Sequence, residues 1–149
     1  MTGRQMARTG GWVLRMGTVS LLVMTWINWQ RAVDLRFPPV HLLWLAPAAA
    51  LLGWMKARWV MLPRMTENAR RLFSSRERLR PWQLYPPQLF VFILSMIALM
   101  AWLRHHYRWD MTVNAALGAV DLMIAAALLN VAGVYRHVQR EEEEPQIDS

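Results

Sequence analysis

The stretch AVDLMIAAALLNVAG, residues 119–133, decides the fold class. It reads as the middle of a greasy helix, yet it carries a carboxylate, Asp121. Extended outward it becomes TVNAALGAVDLMIAAALLNVAGVY, residues 112–135. That length exceeds the roughly 20 residues a spanning helix needs. Block length and the absence of strict alternation point to a helix rather than a strand.

Three further blocks have the same character: residues 12–29, residues 40–62 with an apolar heart at 40–55, and residues 88–103. The last is short, and Trp82, Tyr85 and Trp102 mark a thin local boundary around it. Arg15 interrupts the first block and no small-x-small cleavage pattern follows it, so it reads as a retained helix. The expectation is an all-α integral membrane protein: four transmembrane helices as two hairpins, in a single membrane domain over residues 1–149.

Composition agrees. Of 149 residues 55% are hydrophobic, and nine are Trp, a residue that favours the membrane–water interface. Cysteine is absent, which excludes disulfides, thiolate metal sites and thiol nucleophiles. The formal charge of +7 is concentrated in a central block lying between apolar segments. Topology and anionic lipid explain such a block ahead of nucleic acid.

The central loop, residues 63–87, holds Arg64, Arg70, Arg71, Arg76, Arg78 and Arg80. The positive-inside rule places it in the cytoplasm, and four spans then put both termini there, in the inner membrane of a bacterium. Within PRMTENARRLFSSRERLRP the apolar residues Met65, Ala69, Leu72, Phe73 and Leu79 fall near one helical face, with Thr66 as a candidate N-cap. That pattern predicts a basic amphipathic helix lying in the cytoplasmic interface, attracting anionic lipid of that leaflet or a partner protein. The tail, residues 136–149, carries the acidic run EEEE at 141–144, which is either solvated or clamped onto those arginines. VMTWI at 23–27 aligns with LMAWL at 99–103, and AAALL occurs at 48–52 and 125–129, so the hairpins are candidates for a tandem duplication.

Asp121 shares a face with Asn114, Gly118, Ala125, Leu128 and Ala132 by three- and four-residue spacing. Small residues allow close packing, so this face points at protein and Asp121 is an intramembrane polar pin or a coupling site. Its candidate partners by depth are Ser95, Thr18, Ser20 and Arg15, with Asn130 in a separate inner network. His41, His105 and His106 lie together at the outer ends of segments two and three, near Met24, Met100 and Met111. That grouping raises a haem or copper site as an alternative, though no HxH or MxxM pattern supports one. Asp34 and Asp110 sit between arginines in short loops, where local salt bridges explain them.

No acid–base pair lies at a shared depth inside the spans, so no enzyme and no cofactor is expected. The function expected is a non-catalytic accessory, assembly or scaffold subunit of a larger membrane complex. The alternatives are a small oligomeric proton- or ion-coupled transporter or channel using Asp121, and the outer-face haem or copper binder.

Overall fold

The computed structural model describes residues 3–74 and 87–143. These residues are helical throughout, apart from two short turns, and contain no strand. Helix α1 is Gly3–Asp34, α2 is Pro39–Lys56, α3 is Leu62–Ser74, α4 is Pro87–His106 and α5 is Met111–Glu143. A five-residue π-helical turn, Ala57–Met61, joins α2 to α3 without a break. Among the described residues three stretches are long and apolar enough to cross a membrane: Arg8–Asp34, Pro39–Leu72 and Met111–Val138. Arg76, Arg78, Arg80 and Leu79 lie outside the described residues.

Both described turns are set by local chemistry. At the end of α1 the Phe37 N–H donates to Ala32 O and the Arg36 N–H to Val33 O, each at 2.9 Å. This is the paired closure of a Schellman motif, with Arg36 at φ 73° in the position glycine usually takes. Pro38 and Pro39 follow, and a proline in the first turn of α2 loses no helical hydrogen bond. Arg36→Gly should therefore stabilise the protein by about 1 kcal/mol, because it removes the left-handed penalty of a side chain. A higher Tm in detergent would verify this.

At the start of α5, Asp110 caps the helix. Its Oδ1 accepts from the Thr112 and Val113 N–H groups at 2.9 and 3.0 Å. Asp110 thus serves the helix end rather than a loop salt bridge.

Helix α5 is the axis of the fold. α1 packs antiparallel along it and α2 runs parallel on another side, so α5 lies between two helices that are consecutive in sequence. Small residues make this possible. A Cβ at Gly53 would run into the backbone carbonyl of Met123, and one at Gly118 into the Trp29 indole. The buried stripe on α2 and α3 is Ala49, Gly53, Ala57, Met65 and Ala69, in steps of four or eight. Each step of four advances about 400°, so the stripe would drift by about 40° per step in a straight α-helix. The wider π turn at 57–61 absorbs part of that drift and keeps the stripe on α5. Helix α4 is placed differently: it touches α5 sparingly, and α2 and α4 do not form a packed pair. The two candidate hairpins therefore occupy unequal places.

The apolar core gathers where α1, α3 and α5 meet. Met65, Ala69 and Leu72 of α3 bury against Val131, Val134 and Val138 of α5 and Leu14 of α1. The amphipathic helix foreseen in the central loop exists, but its apolar face is turned onto protein instead of lipid. Thr66 lies inside this helix and donates to Leu62 O at 2.8 Å, so it is not an N-cap. Asn68 donates to the Tyr135 hydroxyl at 3.2 Å within the same core. The helix continues through the start of the acidic run, and Glu141 stands 3.9 Å from Arg70, both exposed. Such a pair contributes at most about 1 kcal/mol.

The three long helical rods span about 48–54 Å each, against a hydrocarbon thickness of about 30 Å. Beyond the end of α2, helices α1, α3 and α5 continue together as a three-helix stalk. Outside it the surface is apolar, with Trp26, Leu43, Trp44 and Trp59 all exposed. Arg58 stacks over Trp54 at 5.3 Å, near the junction of bundle and stalk.

Candidate functional site

Asp121 sits ten residues into α5, about 15 Å from its start. It is 1% exposed. One carboxylate oxygen, Oδ2, accepts two hydrogen bonds: from Asn28 Nδ2 of α1 at 2.9 Å and from Arg104 Nη2 of α4 at 2.5 Å. The cluster therefore ties three helices at one point. Arg104 reaches it from the last turn of α4, and its side chain keeps 22% exposure. An ion pair with a further hydrogen bond is what an apolar setting demands of a buried charge.

Three buried atoms of the cluster lack a protein partner: Asp121 Oδ1, Asn28 Oδ1 and Arg104 Nε. They comprise two acceptors and one donor.

Neighbouring contacts fix the geometry. Trp29, next to Asn28, donates from Nε1 to Ala115 O at 3.2 Å, nearly two turns before Asp121 on α5. Gly118 lies against the same indole, so α1 and α5 are in close contact beside the cluster. Thr18 and Thr25 turn their hydroxyls back onto the carbonyls of Leu14 and Leu21, each at 2.9 Å.

Spacing turns Asp121 inward, as its burial agrees, but does not reveal its partners. Ser95 is exposed on α4, nine residues from Arg104, or about 13 Å. Arg15 lies thirteen residues from Asn28, about 20 Å along α1. Neither meets Asp121. Asn114 does share the buried face, but its amide closes the α4–α5 turn. It donates to the carbonyls of Tyr107, Arg108 and Asp110 at 3.4, 3.1 and 2.7 Å. Arg104 stands at the edge of the third apolar block and Asn28 between two tryptophans, and neither is marked out by spacing along the face of Asp121. Depth was the available signal: an arginine side chain at the end of α4 extends about 6 Å, and helical side chains lean back along their own helix.

His41 and His106 pack against aromatic rings, and His105 is exposed. His106 stacks on Trp102 at 5.1 Å and contacts Tyr107 edge-on at 5.6 Å, while His41 meets Phe37 edge-on at 6.0 Å. Among the described residues no group of three or more His, Cys, Asp or Glu side chains is placed to hold a metal ion. Of the basic residues expected to bind lipid or a partner, Arg64, Arg70 and Arg71 project from α3, and Arg71 donates to Asn68 Oδ1 at 3.1 Å. Comparison with protein-family models, with curated proteins and with solved structures finds no match to this chain.

Proposed function

We propose that this chain is a non-catalytic accessory or scaffold subunit of a larger assembly in a bacterial inner membrane. In this reading it crosses four times, with the stalk and both termini in the cytoplasm. The observation that carries the reading is the state of α4. Among the described residues it is held to the other helices near its C-terminal end, by the Arg104–Asp121 pair and the short turn after His106. Along Val91–Ala101 its described side chains are exposed on most sides, with only Met96 and Met100 half covered. A helix apolar all round whose described middle is left uncovered is a helix offered to a neighbour. The basic face of α3 and the acidic end of α5 supply charged handles for a partner and for anionic lipid.

A photo-crosslinking amino acid at Leu94 or Ile97 tests this in native membranes. The expected result is one discrete protein adduct from both positions and none from Leu22 or Leu51, which are exposed on α1 and α2. Lipid adducts alone from α4 would refute the subunit reading.

A second reading has one observation behind it. The Oδ1 atoms of Asp121 and Asn28 are buried acceptors with no hydrogen-bond partner. Intramembrane carboxylates of that kind serve proton and ion coupling. Proton flux in liposomes, abolished by Asp121→Asn, would replace the subunit reading with this one.

A further inference from the structure

The cluster at Asp121 holds helices together. A different group of polar side chains gathers on the stalk, and the packing just described makes no use of it. Between α3 and α5 runs a groove of about 400 Å³. Its floor is apolar, formed by Leu62, Val134 and Val138. Gly133 deepens it, since a Cβ there would meet nothing within 4 Å. At the end nearer the membrane spans stands the half-buried Asn130. At the far end stand Arg70, His137 and Glu141, with the carboxylate 3.9 Å from the guanidinium and 3.3 Å from His137 Nε2.

The depth of this groove follows from the register of the helices. α2 and α3 run parallel to α5, with Gly53 against Met123 and Arg70 against Glu141. On that register the exposed Trp59 is level with Leu129 and Asn130. Trp prefers the membrane–water boundary, and Arg58 stacked on Trp54 marks the same level. His137 lies seven residues further on, about 10 Å along the axis. Helical side chains lean toward their own N-termini, which on both α3 and α5 is back toward the spans. The charged ends of Arg70, His137 and Glu141 thus lie at the depth of lipid headgroups, a zone of about 5–8 Å on each side of the hydrocarbon.

An apolar floor that begins at the boundary and ends in both signs of charge is complementary to a lipid that carries both signs. We infer that the groove seats one phospholipid with an ethanolamine-type headgroup. Its phosphate lies between Arg70 and His137, its ammonium on Glu141, and its glycerol and upper acyl chain over Gly133. A quaternary choline group has no N–H to give Glu141, and a purely anionic headgroup would face that carboxylate unfavourably. The site rests on the membrane reading and is independent of the subunit reading.

Native mass spectrometry of the full chain, delipidated in detergent and titrated with lipids of identical acyl chains, tests it. Phosphatidylethanolamine should bind as one lipid per chain, about tenfold more tightly than phosphatidylcholine, the effect of one charge-assisted hydrogen bond. Glu141→Gln should erase that preference, and Gly133→Leu should remove the bound lipid. Gly133 faces open space, so this variant folds, which circular dichroism checks. Equal or tighter binding of phosphatidylglycerol, retention by Gly133→Leu, or the absence of any bound lipid would each overturn the inference. Alkaline extraction of membranes separates the two levels. A chain that stays in the pellet but binds no lipid sinks the groove alone, and a chain that is extracted sinks the membrane reading with it.

Discussion

Replacing Arg104 by leucine is expected to destabilise the protein by about 3–5 kcal/mol, the usual effect of removing one partner from a buried ion pair. Replacing Asp121 by leucine should cost less, about 1–2 kcal/mol. The asymmetry follows from exposure. Asp121 is 1% exposed and would be left as an uncompensated carboxylate, whereas the Arg104 side chain keeps 22% exposure from the last turn of α4. Freed of Asp121, the guanidinium can swing to the membrane surface and regain water. The double variant Arg104→Leu/Asp121→Leu should recover most of the loss, because two apolar side chains replace two charges that no longer need each other. Unfolding free energies of the four proteins in one detergent complete the cycle. Equal single-variant effects would show that Arg104 has no route to water. A fully additive double variant would show that the pair is not coupled.

The second large effect concerns Gly53. A Cβ at this position would overlap the backbone carbonyl of Met123, and backbone cannot move aside as a side chain can. Gly53→Val should push α2 off α5 and destabilise by about 3 kcal/mol, the upper range of overpacking. Gly133→Ala serves as the contrast: open space surrounds it, and exchanging glycine for alanine inside a helix should stabilise by up to about 1 kcal/mol. Opposite signs for two glycines in apolar helices would show that close packing, rather than helix propensity, maintains Gly53. A neutral Gly53→Val would place α2 further from α5 than described above.

Helices and their apolar character were legible in the sequence because they depend on block length and composition alone. So was the inward direction of Asp121, since Asn114 and the small residues at 118, 125 and 132 mark one face. The partners were not legible, because they depend on which helices meet, and hairpin logic pairs neighbours in sequence. Here α5 enters between α1 and α2, which brings Asn28 rather than Ser20 to the carboxylate. The central loop failed in a related way. Met65, Ala69 and Leu72 announce an apolar face, but the period cannot say whether lipid or protein covers it. Only the uninterrupted run of α2 through the π turn into α3, which holds that face over α5, decides between them.

The continuity of those rods has a mechanical consequence. α5 passes through Asp121 and continues for twenty-two more residues to Glu143, about 33 Å. The knot of Asn28, Asp121 and Arg104 is then a fulcrum close to one end of a stiff lever. A tilt of about 10° there would carry the stalk tip through about 6 Å, while the helix at the fulcrum stays nearly still. A small tilt at the buried knot is thereby amplified into a much larger displacement of the charged tip of α5.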